Sequence, residues 1–435
     1  MNRFTEFLFK AGAWADSNKY LRAIKEAFQI FLPFTIFGAI ATLWTNVIVN
    51  ADTGLGALVP FVMKLSFLNP VFNVVNFCTI GCMSLGIAFL IGAELGKNNK
   101  DNAVYCGLLS VLCLIAVSKT SMTVGEGDLA TTISGFFSDS LGTNGLFTAL
   151  IIAILAVELF HAIMKIDALK IKMPAGVPAS VADSFSSLIP GFLVIFAMGL
   201  LSFIVQTLTG GYINDLVYNL IQAPLLKIGS SLPGILVFVL ITVILWSVGL
   251  HGENMTGGVL NPILFALMAE NIAAVEAGME ATHIINFSFY RIFLCTGGTG
   301  MMLALTIAFL IGAKREENRS VSKIALVSNL FNIGEVGMFG YPVVLNPVLI
   351  VPFIIVSLVS VILAYVLTAI GICPVMALNV PWTMPPFLYG FLASGGNIMG
   401  GVCQLLIIAV ATVIYLPFVK IFEKQQAAND VAENE

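Results

Sequence analysis

Residues 251–274 read HGENMTGGVLNPILFALMAENIAA, an almost wholly apolar stretch interrupted by His251, Glu253, Asn254, Pro262 and five further glycine or asparagine residues. A charge in such surroundings is costly and usually has a use, and a backbone broken by Gly and Pro at membrane depth is tolerated only where protein or a water-filled cavity surrounds it. Two later stretches have the same character: NLFNIGEVGMFGYPVVLNPVLIVPF at 329–353 and NVPWTMPPFLYGFLASGGN at 379–397. All three are poor continuous spans, and the reading is of re-entrant hairpins gathered around a solute site.

The rest of the chain sets the context. Of 435 residues 58% are hydrophobic and 10% charged, against about 25% charged in an ordinary soluble domain. That excludes a soluble enzyme. Apolar runs of membrane-crossing length recur at 27–49, 71–95, 104–119, 146–164, 189–209, 235–250, 287–313, 348–370 and 397–419. The fold class is therefore an all-α polytopic membrane protein. A net charge of −4 without a Lys/Arg block gives no sign of a nucleic-acid partner. Seven cysteines lack metal-ligand spacing and read as core packing. Glu158 and His161 form a lone ExxH pair, whereas a di-metal carboxylate bundle needs two, so neither a metal nor a cofactor is expected.

Basic residues fall in five groups, at 1–26, 97–100, 165–172, 314–323 and 420–424, leaving only Lys64, Lys119, Lys227 and Arg291 outside them. The positive-inside rule assigns these groups to the cytoplasm and the acidic run 121–145 to the outside, with both termini cytoplasmic. The basic segment 1–26 lacks a short apolar core with a cleavage site, so no removed leader is expected. Between Gly210 and Gly234, the polar segment YINDLVYNLIQAPLLKIGSSLP reads as an interfacial amphipathic linker. Three parts follow: an amino-terminal transmembrane half at 1–210, the linker at 211–234 and a carboxy-terminal half with hairpins at 235–435.

Within the broken stretches, His251 and Glu335 are candidate ligands of a polar solute, the alternative being loop ends in contact with water. Glu253 fits the second reading better. Asn254, Asn332, Asn346 and Asn397 offer amides that bind hydroxyls or cap helices. Trp382, stiffened by prolines in PWTMPP, offers a flat wall to a sugar ring or a belt at the interface. Trp246, five residues before His251, reads first as lipid or core packing, with a second wall of the site as the alternative. His283 and Arg291 flank an apolar span and read as anchoring or pairing residues.

The strings KMPAGVPASVADSFSSLIPGF (172–192), HGENMTGGVLNP (251–262), NIGEVGMFGYPVVLNPV (332–348) and NVPWTMPP (379–386) together resemble the membrane component, enzyme IIC, of the lactose/cellobiose/diacetylchitobiose phosphotransferase family. The resemblance covers nearly the whole chain. It implies about ten transmembrane helices with two re-entrant hairpins, a homodimer formed through the amino-terminal half, and a sugar held in the carboxy-terminal half. It also implies import of a β-linked disaccharide, with diacetylchitobiose or cellobiose preferred, and its release as the 6-phosphate after a phosphorylated IIB subunit, loaded by IIA, donates phosphate. His251 and Glu335 are then sugar ligands, Glu335 lies beside the hydroxyl to be phosphorylated, and Trp382 lines the pocket. Val336 departs from the family, which commonly has proline there. With only about fifteen polar residues after Val419, the phosphate carriers are expected on separate chains. An ion-coupled secondary transporter using His251 and Glu335 as a proton relay is the alternative.

Overall fold

The computed structural model describes residues 17–49, 56, 59–124, 131–135, 138–174 and 176–433. Expectations for residues 1–16 and for parts of the acidic outer run, 125–130 and 136–137, lie outside them. Among the described residues seven helices are long and apolar enough to cross a membrane, or eight counting Ile213–Gly229 with Leu232–Ser247 as one broken span. Shorter apolar helices, Ala103–Val117 and Met302–Gly312, supplement these. Length and composition alone thus do not reach the expected count of ten.

The chain forms two compact units, one from 16–35 and 76–225, the other from 36–75 and 226–435 as far as described. Residues 36–75 thus belong with the later part of the chain, a grouping that hydropathy does not carry.

In the first unit the main helices are α1 (Lys19–Leu43, continuing into the other unit), α2 (Met83–Asn99), α3 (Ala103–Val117), α4 (Leu146–Met164) and α5 (Leu188–Thr209). Met83, Ile87, Ile91 and Leu95 recur every four residues on α2 and are fully buried, the stripe expected of a helix packed on one side. Gly92 lets α2 meet α3 closely, since a Cβ there would lie 2.7 Å from the Cys106 carbonyl oxygen. The turn between them uses Lys100 at φ 65° and Asn102, whose side chain accepts from the Tyr105 amide to start α3. On α5, by contrast, Phe192, Phe196 and Phe203 are exposed, as lipid-facing side chains should be. A short antiparallel hairpin, β1 (Ser121–Val124) with β2 (Thr131–Ser134), follows α3. The predicted span 71–95 is in fact two helical segments, Phe61–Gly81 and α2, divided at Cys82.

Most of the second unit consists of α6 (Leu232–Ser247), α7 (Gly252–Glu276), α8 (Phe287–Leu294), α9 (Met302–Gly312), α10 (Glu316–Leu330), α11 (Glu335–Gly340), α12 (Pro347–Ala369), α13 (Leu388–Ala393) and α14 (Ile398–Glu433). Two expectations change here. The stretch 251–274 is not a hairpin but one 25-residue helix with Pro262 inside it. Conversely, the predicted continuous span 287–313 is broken into α8 and α9 by Cys295–Met301, where Gly297, Gly298, Gly300 and Met301 have positive φ. The other two stretches do interrupt their helices, at Phe331–Gly334 and again across 370–387.

Candidate functional site

Backbone that leaves a helix inside a bilayer must find partners within the protein, and side-chain amides provide them here. Asn332, at φ 63°, a conformation Asn tolerates better than most residues, accepts from the Gly297 amide at 2.8 Å and donates to the carbonyls of Trp382 at 2.6 Å and Met384 at 2.9 Å. One side chain therefore fastens three non-helical segments. Gln404 of α14 accepts from the amides of Phe387 and Gly390, both at 3.0 Å, and donates to Thr296. Asn286 caps α8 and donates to the Met376 carbonyl, while Ser288 donates to that of Leu378. Gly298 and Gly334 meet backbone to backbone, since a Cβ on Gly298 would sit 2.4 Å from the Gly334 Cα. That contact sets the start of α11, whose first residue is Glu335.

On α7, His251 is the N-cap: its Nδ1 accepts from the Asn254 amide at 3.3 Å. A neutral imidazole with Nδ1 accepting carries its proton on Nε2, and Nε2 faces Glu335 Oε1 at 3.9 Å. That is too long for a direct hydrogen bond, and both side chains are open, 39% and 51% exposed. The other face of the structure around His251 is aromatic: the Trp246 ring centroid lies 4.4 Å from that of His251, and Trp246 is buried at the end of α6.

The structure thus brings Trp246, His251 and Glu335 together, with Asn254 exposed beside them. Trp382 joins through Asn332 and through Arg291, whose guanidinium lies 5.6 Å from the indole centroid. Asn332 spends its amide on backbone and so acts on the site by placing it. Asn346 caps α12 and the Asn397 side chain accepts from the Met399 amide at the start of α14.

Sequence reading placed Glu253 at a loop end in contact with water. Far from contacting only water, it pairs with Arg291 at 2.6 Å and accepts from Thr299 at 2.5 Å and from Cys295 at 3.0 Å. It also did not single out Asn286, Ser288 or Gln404. Their signal was a polar residue inside an apolar run, which bore on the function only once its partners were known. His283 pairs with Glu270 at 2.7 Å, in keeping with an anchoring role. Elsewhere, Glu158 accepts from Lys19 at 2.7 Å and from Asn99 at 3.2 Å, and His161 lies 2.8 Å from Asp101. Among the described residues no group of three or more His, Cys, Asp or Glu could hold a metal ion.

Comparison with known proteins agrees with this architecture. Residues 25–357 match the family model described as phosphotransferase system, EIIC. The chain is 35% identical to the PTS system oligo-beta-mannoside-specific EIIC component of Bacillus subtilis over 98% of its own length and 95% of that protein's. It is 36% identical to the PTS system cellobiose-specific EIIC component of Geobacillus stearothermophilus, covering 82% and 80% of the two chains. The crystal structure of ChbC, the IIC component from the N,N'-diacetylchitobiose-specific phosphotransferase system, superposes with a TM-score of 0.91 at 31% identity over 99% of both chains. The chain is therefore a multi-pass membrane protein that belongs to the phosphotransferase system EIIC family of sugar permeases.

Proposed function

We propose that the chain imports a β-linked disaccharide, diacetylchitobiose or cellobiose, and presents its 6-hydroxyl to a phosphorylated IIB subunit that IIA has loaded. The observation that carries this reading is the 3.9 Å gap between His251 Nε2 and Glu335 Oε1 beside a buried indole. A sugar hydroxyl fits such a gap, accepting from the imidazole N–H and donating to the carboxylate, each over about 2.8 Å. Phosphoryl transfer is mostly positioning and electrostatics. A carboxylate already holding the hydroxyl proton is placed to take it as the oxygen attacks phosphorus. Trp246 and Trp382 supply apolar walls, and Asn254 a further amide. The substrates in the relatives' names, cellobiose, oligo-β-mannosides and diacetylchitobiose, share the β linkage.

In this reading residues 235–435 hold the sugar, 1–210 form a homodimer interface and 211–234 lie at the membrane surface. The protein sits in the bacterial cytoplasmic membrane with both termini inside. Purified protein in vesicles, supplied with phosphoenolpyruvate and the general and sugar-specific phosphocarriers, should accumulate disaccharide 6-phosphate with all ion gradients collapsed. Uptake that stops with the gradients and yields unmodified sugar would favour the ion-coupled alternative.

A further inference from the structure

Glu253 and Arg291 form an ion pair whose side chains are only 19% and 15% exposed. Stability alone does not call for it, because a buried pair is often replaced by apolar residues without loss. Its surroundings suggest a use. Glu253 comes two residues after His251 on α7, Arg291 belongs to α8, and the Thr299 and Cys295 groups that bind Glu253 belong to the glycine-rich break between α8 and α9. The guanidinium is thereby held, with its Nη1 on the carboxylate and its Cζ over the Trp382 ring, 5.6 Å from the centroid. Trp382 itself stands on non-helical backbone, held through its carbonyl by Asn332. That bond holds the main chain of Trp382 and not its indole, whose one cationic neighbour among the described contacts is Arg291.

We propose that Arg291 is a positioning residue: locked by Glu253, its guanidinium occupies one face of Trp382 and so decides which face the indole turns to the sugar. This rests on the reading of Trp382 as a wall of the sugar site. Arginine suits the task because its planar, delocalised cation stacks on aromatic rings, whereas a lysine ammonium is a compact, strongly hydrated charge. Arg291→Lys therefore keeps a cation for Glu253 but gives up the plane. The double variant Glu253→Leu/Arg291→Met removes both charges at once and strands neither in the interior.

The test is a double-mutant cycle on full-length protein in nanodiscs, with cellobiose and diacetylchitobiose as the probes in titration calorimetry. Arg291→Lys should weaken binding by about two- to fivefold, the range of a cation–π contact at a partly open site. The double variant should lose at least as much. In a Trp382→Ala background the same Arg291 change should have little further effect, the non-additivity expected of residues acting through one another. A second readout follows the ring directly. With Trp14, Trp44 and Trp246 replaced by Phe, the fluorescence anisotropy of Trp382 should fall on Arg291→Lys. Trp382→Ala that weakens binding, combined with an Arg291 effect of equal size in both backgrounds or with unchanged anisotropy, overturns this inference alone. Trp382→Ala that binds like wild type overturns the sugar-wall reading and this inference with it.

Discussion

His161 and His251 each face a carboxylate, one in each compact unit, and the two pairs are built differently. His161 Nδ1, on the unbroken α4, meets Asp101 of the α2–α3 turn at 2.8 Å, with side chains 25% and 12% exposed. His251 Nε2 stands 3.9 Å from Glu335, on the first turns of helices that begin where the backbone has been interrupted. The first pair is complete, and its energy goes into holding the α2–α3 turn against α4. The second is left open at 3.9 Å, which the proposed function fills with a sugar hydroxyl. Residue type alone does not separate a structural His–carboxylate pair from a binding one. In the proposed function the distance does, and the Gly298–Gly334 contact and the His251 cap help to set it.

The largest test of this contrast is Glu335→Gln, which keeps the shape and removes the charge. Disaccharide affinity should fall by about tenfold, the difference between a charge-assisted and a neutral hydrogen bond. Sugar-phosphate formation with phosphorylated IIB should fall a further 10²–10⁴-fold or so, as when a general base is lost. Both are measurable on one preparation, and equal tenfold losses would leave Glu335 a binding group only.

Asn332→Ala attacks the spacing rather than the charge. It leaves the Gly297 amide and two carbonyls without a shared partner, each such buried group costing about 1–3 kcal/mol. Melting temperature and sugar affinity should drop together. Lost stability with wild-type affinity would detach the staple from the site.

Trp382→Ala should weaken binding by about 1–3 kcal/mol, the range for burying a large apolar side chain, and Trp382→Phe by less. If alanine binds normally, the residue serves the membrane interface instead. The smallest effect is expected at the closed pair: His161→Gln should cost stability of about 0–1 kcal/mol and leave sugar affinity unchanged. A tenfold loss of affinity there would erase the distinction between the two pairs.

Apolar run length made the membrane class legible in the sequence, and isolated charges in apolar surroundings picked out His251 and Glu335. The breaks were harder. The stretch 251–274 was expected to bend because it contains Gly257, Gly258 and Pro262, yet it stays helical, with all three residues buried. The run 287–313 was expected to be straight because hydropathy averages over the five residues from Thr296 to Gly300 that turn it. Glu253 was placed in water because its partners, Arg291 and Thr299, are 38 and 46 residues away. No local pattern encodes a contact at that range.

The partners of the α8–α9 break also carry a consequence for biosynthesis. Gly297 waits for Asn332, 35 residues later, and Thr296 is met by Gln404, 108 residues later. At about 5–20 residues per second the ribosome needs roughly 5–20 s to supply Gln404 after the break has left it. Through that interval the α8–α9 break lacks the donor that α14 brings. The carboxy-terminal half therefore closes in the order of translation, last at α14, and a stall or truncation before residue 404 should leave an inserted but unlatched chain, the form that membrane quality-control proteases would be expected to recognise.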